Sequence, residues 1–403
     1  MTDTMVSPLE DLGYPLVFPV DEGVDGLDAP EPSLGVAHRT RVRSLGGMQK
    51  EALVTNSATG TTWRLASDEG EYLEGEDIAP APLAHLTTGM VSSFASEVLT
   101  LADERGIEVE DLTLVQDNYY TMNGSALAGT MTAGALPVDL DVEIDADAEP
   151  QALRTLVDDA VQSAPVSGLI HDVTDSVFTL VANGREIDPD RVDERDGPTL
   201  PDPIETFESL PRDASERDPP IIHRTGATTE PLPDSDEAYT SGEGSSLSAD
   251  QDRVLHLRGT CTVRPDGTKH VAVELFSPIG TVFEFISDEP SGRGGAGRAP
   301  DAMTYVAAGL GFCFMTQMGR YADIVDADLS AYRIVQDTHV TAGVRGDEAT
   351  PAGWAPVETC AYVETSEDAD FARELLDMSE QTCFLHALCR SDPGGPDVDV
   401  VAR

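Results

Sequence analysis

Basic residues are scarce in this chain of 403 residues: 25 Lys plus Arg stand against 74 Asp plus Glu, a formal net charge of −49. Lys50 and Lys269 are the only lysines. A field of that sign repels phosphate backbones and argues against nucleic acid as a partner. The surface is expected to be one adapted to high salt, where screening suppresses self-repulsion and carboxylates hold hydration. Long apolar runs are lacking too, and no stretch is apolar enough to span a bilayer, so no membrane partner is expected. The opening MTDTMVSPLEDLGYPLVFPVDEG carries acids where a secretory signal has a positive n-region, which leads us to expect a cytoplasmic location. Cysteine is limited to Cys261, Cys313, Cys360, Cys383 and Cys389. Five unevenly spaced thiols do not make a secreted disulfide framework, because an odd number leaves one over. In a reducing compartment such thiols are either small buried hydrophobes or chemistry. Neither a glycine-rich phosphate loop nor a serine-nucleophile elbow appears, and no cofactor or metal is expected.

What is present is repetition. SATGTTWRLASDEG (57–70) and SPIGTVFEFISDEP (277–290) share Ser, Gly, Thr and the tripeptide Ser-Asp-Glu at one offset of 220 positions (277 − 57). The same offset relates Ala79-Pro80 to Ala299-Pro300, Gly89 to Gly309, Phe94 to Phe314, and Val115-Gln116-Asp117 to Val335-Gln336-Asp337. A period this long is the size of a domain rather than of a solenoid repeat. The length also exceeds the roughly 250–300 residues at which one core usually stops growing. Composition divides the chain into an acidic lead-in (1–36), a first unit (37–190), an acidic stretch rich in Pro and Ser (191–252), and a second unit (253–403). The third of these is expected to be an extended, largely irregular linker.

Each unit shows the same succession of elements. Alternating runs predict antiparallel strands turning at SLGG and PDG. A proline-flagged loop then leads into a long helix that is apolar around much of its circumference, PLAHLTTGMVSSFASEVLTLADERG in the first unit and AMTYVAAGLGFCFMTQMGRYADIV in the second. Further strands follow, DLTLVQD and AYRIVQD among them. A second helix begins near Glu149 and near Glu367. The fold class expected is α+β.

At this point the residues resemble a known family. APDAMTYVAAGLGFCF, with its single cysteine, is followed 70 residues later by EQTCFLHAL, and this arrangement looks like the OsmC/Ohr family of thiol-dependent hydroperoxide reductases. APAPLAHLTTGMVSSF in the first unit is similar to the loop before that family's first helix. SAPVSGL is similar to its C-P-V-S segment with Ala164 in place of cysteine. The resemblance implies an intertwined dimeric fold, here completed within one chain as a pseudodimer. It further implies that Cys313 attacks a hydroperoxide, that Cys383 resolves the sulfenic acid to a disulfide, and that an external dithiol reduces it, with no cofactor. The corresponding positions of the first unit are Ser93 and Ala164, so one site only is expected. The family's arginine, which holds the thiolate, corresponds to Arg264 in VRPDG or to Arg43 in VRSLGG.

Two features of the family are missing. Thr304 and Met303 stand where a glutamate usually fixes that arginine, and Phe384 stands where proline follows the second cysteine. They give weight to an alternative, a non-catalytic degenerate relative that binds a small apolar ligand or a protein partner. A cysteine in an apolar helix is ordinarily just a buried side chain. Cys383, His386 and Cys389, spaced i, i+3, i+6, lack the paired knuckle of a zinc site.

Overall fold

The computed structural model describes residues 7–20, 24–211, 218–228, 245–277, 279–344, 350–391 and 394–403. Two mixed sheets enclose a pair of long helices, Pro82–Glu104 and Ala302–Val325, called here the first and second central helices. Proline in the first turn starts the first of them, where its missing N–H costs nothing. Asp301 caps the second, its carboxylate accepting the Thr304 N–H at 2.8 Å. Both are buried around nearly their whole circumference, which is why their sequences carry so little amphipathic contrast. The second central helix lies on the first sheet and the first lies on the second sheet, with the helices packed on each other between them. Amphipathic helices Pro150–Ser163 and Ala369–Thr382 flank the central pair.

Neither sheet belongs to one half of the chain. The first runs in the order Val17–Val20, Thr62–Ser67, Gln49–Asn56, Val36–Gly46, Ala331–Thr341, Val357–Glu364, Ser176–Ala182, Asp193–Glu194. The second runs Ile222–Ala227, Thr281–Ser287, Lys269–Ser277, Asp250–Val263, Val109–Ser125, Asp139–Ala146, Asp397–Ala402. Each therefore takes a three-stranded meander from one half, two strands from the other, and a last strand, added in parallel, from the half that gave the meander. The main hydrophobic core runs through both halves, with smaller clusters beside it.

The repeated residues sit at the seams between the halves. Asp337 accepts two hydrogen bonds from Arg39, the shorter 2.7 Å, across the junction of Ala331–Thr341 with Val36–Gly46. Asp117 is gripped in the same way by Arg258, 2.7 Å at its closest, across the junction of Val109–Ser125 with Asp250–Val263. Such planar bidentate pairs fix register as well as adding energy. The recurrence of Val-Gln-Asp at one offset is thus a recurrence of one inter-half clamp.

The lead-in and the stretch 191–252 contribute more order than composition suggests. Val17–Val20 covers the edge of the first sheet by pairing with Thr62–Ser67, Val17 opposite Leu65. Ile222–Ala227, from within 191–252, covers the second sheet's edge, Ile222 opposite Phe285. The short strand Asp193–Glu194 and the helix Ile204–Glu208 also come from this stretch, so its described residues are not an irregular tether. Both segments spare a sheet edge from exposure, a role that pairing decides and that polar composition does not reveal.

Candidate functional site: a buried thiol pair beside an arginine-lined cavity

Cys313 lies midway along the second central helix and is 2% exposed. Cys383 is fully buried at the break between Ala369–Thr382 and Phe384–Arg390, where its extended backbone (φ −75°, ψ 120°) turns the chain from one helix to the next. The break brings its side chain against the central helix, where the two thiols lie close enough to perturb each other's titration. The His386 Nδ1 lies 3.2 Å from the Cys383 Sγ. In the first half the same frame persists without sulfur: the Ser93 Oγ accepts the Val166 N–H at 3.4 Å, and Ala164 fills the other place.

The two thiols titrate as a pair. Burial, with the Cys383 sulfur beside it, pushes Cys313 well above the ordinary thiol range. Burial alone would raise Cys383 as well, but the neighbouring Cys313 thiol and the His386 ring hold it well below that range. The first negative charge therefore rests on Cys383, with the shared proton on Cys313. Burial drives Cys261 up to about 12 and raises Cys389 further, and Cys360 is buried.

A cavity of about 30 Å³ adjoins Cys313 and not Cys383. One wall is a stripe of the second central helix, Cys313, Thr316, Gln317 and Arg320, spaced i, i+3, i+4, i+7 and so on one face. The facing strand contributes Gln251, Arg253 and Leu255. Arg320 donates to the Ser246 carbonyl at 2.7 Å, the Gln317 Oε1 at 3.2 Å and the Met131 Sδ at 3.3 Å, all neutral acceptors. Among the described residues it forms no ion pair. Burial, with Arg253 beside it, brings Arg320 down to about 10, so the guanidinium stays charged at neutral pH. Arg253 is lowered by the same desolvation.

The first half supplies a glutamate and a lysine beside this site. Glu69 accepts the Thr316 hydroxyl at 2.9 Å and the Tyr72 hydroxyl at 2.8 Å. Burial raises its pKa, and Lys50 partly offsets that. Lys50 is fully buried, donates to the Met48 carbonyl at 2.5 Å, and is lowered by desolvation against the opposing pull of Glu69, Asp68 and Cys313. The arrangement is mirrored at Glu289, which accepts the Ser96 hydroxyl at 3.2 Å, with Lys269 opposite Ser287 as Lys50 is opposite Ser67. The two Ser-Asp-Glu segments thus each place a glutamate against the other half's central helix. Asp68 and Asp288 serve the turns after their strands by accepting loop N–H groups, whereas the glutamates reach the other half's helix.

Neither Arg43 nor Arg264 is at the thiols. Along Val36–Gly46 it is Thr40 and Val42 that face the central helix at Gly311, so strand alternation turns Arg43 to the outer face. There it pairs with Glu51 at 2.6 Å and lies over the Phe207 ring. Arg264 is exposed in the hairpin turn closed by its own N–H to the Thr268 carbonyl. Thr304 spends its N–H on Asp301, and Asp301 in turn accepts the Asn56 amide at 2.9 Å. The carboxylate near the thiol helix is Glu69, from the other half. Arg320 was visible in the sequence as the residue two turns beyond Cys313, and Lys50 as one of only two lysines. No sequence signal joins either of them to Cys383.

The chain matches no family model and no curated protein. Among solved structures it is similar to an OsmC-like hydroperoxide resistance protein from Jannaschia sp. CCS1, at 16% identity over 31% of this chain and 79% of that one, with a TM-score of 0.19. No helix among the described residues is long and apolar enough to cross a membrane.

Proposed function

We propose that this protein is a two-cysteine hydroperoxide reductase, built from two fused OsmC-like units that complete one fold as a pseudodimer. The observation that carries the chemistry is the coupling of Cys313 and Cys383, buried thiols 70 positions apart brought together beside a cavity with a charged guanidinium. The mirrored Arg–Asp clamps and Glu–hydroxyl contacts between the halves support the two-unit reading.

In the singly deprotonated pair, passage of the shared proton from Cys313 to Cys383 makes Cys313 the thiolate on the cavity side. That sulfur attacks the terminal oxygen of the hydroperoxide: an S–O bond forms, the O–O bond breaks, and the alkoxide leaves with the Cys383 proton as alcohol. The Cys383 thiolate then attacks the sulfenic sulfur, forming S–S and releasing hydroxide, which solvent protonates to water. The two thiols supply the two electrons that reduce the peroxide bond. An external dithiol restores the pair by exchange, as suits a cytoplasmic protein. Arg320 supplies positive charge at the cavity where the leaving oxygen becomes negative.

Cys313→Ser is expected to abolish peroxide consumption while the fold melts normally. Cys383→Ser should stop after one turnover at a sulfenic acid on Cys313 that dimedone traps. Undiminished turnover in Cys313→Ser would contradict the reading.

A further inference from the structure

A half-open cavity of about 570 Å³ lies where the loop before the first central helix meets the meander of the second sheet. Pockets for small molecules span roughly 300–1,000 Å³. Its lining has only Tyr72 in common with that of the space at Cys313. The floor is apolar, made by Leu257, Val273, Leu275 and Phe283 from three neighbouring strands and by Ala81 and Ala84 at the start of the helix.

The equivalent place in the other half is filled. Asp301 stands 220 positions after Ala81 (301 − 81). Leu257 and His38 each precede the arginine of an inter-half clamp, Arg258 and Arg39, and each lies opposite one residue of the next strand, Leu275 and Asn56. His38, Asn56 and Asp301 make a buried polar cluster: the Asn56 amide donates to Asp301 at 2.9 Å, and the His38 Nε2 lies 3.9 Å from the same carboxylate. Leu257, Leu275 and Ala81 stand in those three places around the cavity, so hydrogen-bonding groups give way to aliphatic ones and the space stays open. Apolar walls without partner atoms forgo dispersion contacts that an apolar guest restores.

The rim selects against negative charge. Arg224, the one cation in the lining, is engaged by the Asp77 carboxylate at 3.2 Å and the Thr281 hydroxyl at 2.8 Å. Glu71 and Glu76 are exposed beside it. A carboxylate or phosphate would meet like charge at the mouth and lose its hydration against aliphatic walls.

We infer that this cavity is a second binding site, separate from the thiols, for a small uncharged apolar molecule of the kind represented by a medium-chain alcohol. It goes beyond the proposed peroxide chemistry and does not depend on it.

The test is isothermal titration of the reduced full-length protein with 1-octanol and with octanoate, which have the same tail length and differ in charge. Octanol is expected to bind saturably and at least about tenfold more tightly than octanoate. Leu257→Trp and Leu275→Trp, on neighbouring strands, each fill the cavity and should weaken octanol binding by about tenfold or more. One cooperative urea transition identifies a folded variant, and two variants guard against one failing to fold. Absence of saturable octanol binding to the wild-type protein would overturn the site. Octanoate binding as tightly as octanol would overturn the ligand class, and undiminished octanol affinity in a folded, filled variant would overturn the location. Each of these failures leaves peroxide reduction at Cys313 standing, because that reading is decided by disulfide formation and not by octanol.

Discussion

Gly89 and Gly309 occupy equivalent places on either side of one helix crossing. A Cβ on Gly89 would lie 2.6 Å from the Ala302 carbonyl oxygen, and one on Gly309 would lie 2.8 Å from the Leu86 backbone nitrogen. The obstructing atoms are backbone on both sides, so neither contact yields to a rotamer change. Closest approach of the central helices therefore requires glycine twice, at the same offset that relates the other repeated residues.

Gly89→Ala and Gly309→Ala should each destabilise the whole protein, by about 1–3 kcal/mol as expected of overpacking, although alanine is the better helix former. Urea unfolding should show one transition shifted to lower denaturant for each. A stabilising effect of either substitution would mean the helices cross elsewhere.

Lys50 and Lys269 separate structure from chemistry. Each is a buried lysine set against a buried Ser-Asp-Glu segment, so Lys50→Met and Lys269→Met should both cost stability, on the order of 1–3 kcal/mol for leaving buried polar partners uncompensated. Only Lys50 acts on Cys313, whereas Lys269 acts on Cys261 and Glu289. Disulfide formation driven by peroxide should accordingly slow in Lys50→Met and not in Lys269→Met. Equal rates in the two variants would remove Lys50 from the site.

His85 sets a pH dependence. Its Nε2 meets the Ala66 carbonyl at 3.1 Å, its Nδ1 is buried without a partner among the described residues, and Phe285, Phe312 and Tyr305 surround the ring. Burial lowers its pKa to about 4 from 6.5. Between those values the unfolded chain binds the proton that the folded protein refuses, so stability rises with pH across this window and is lost as pH falls from 6.5 to 4. The full loss is about 3 kcal/mol. His85→Phe should flatten the stability profile over that window by this component, read from urea midpoints at pH 4.5 and 7. An unchanged profile would contradict the buried neutral ring.

The charge imbalance makes salt a stabiliser. At 0.1 M salt the screening length is about 10 Å and at 1 M about 3 Å, so repulsion among the excess carboxylates should fade over that interval. The melting temperature should climb steadily with potassium chloride up to molar concentrations. A flat response would mean the acidic surface carries no folding penalty.

Much of this architecture was written in the chain. The central helices fall on the apolar runs that begin at Pro82 and Ala302, and the strands bearing Val-Gln-Asp fall where alternation places them. These features are local: a capped apolar run is a helix whatever it packs against. Sheet order is not local. That Ala331–Thr341 pairs with Val36–Gly46 instead of with strands of its own half depends on where the chain crosses, and Val17–Val20 and Ile222–Ala227 were hidden because an edge strand needs only a partner. Cys313 and Cys383 were legible as residue types at a spacing. The arginine was not: Arg43 and Arg264 were chosen by position near early turns, but pleat direction turned one outward and exposure claimed the other. Arg320 reaches the cavity because one face of a helix repeats every seven residues, a periodicity already present in the sequence once Cys313 is taken as its origin.

The most direct test of the central claim is intact-protein mass spectrometry of the fully reduced protein in high salt, before and after one equivalent of hydrogen peroxide, with peptide mapping of any new linkage. The account predicts prompt loss of two hydrogens mapped to Cys313 and Cys383. Five thiols still free after minutes of exposure would contradict it, and the paired sulfurs would then be packing in a protein whose function is binding.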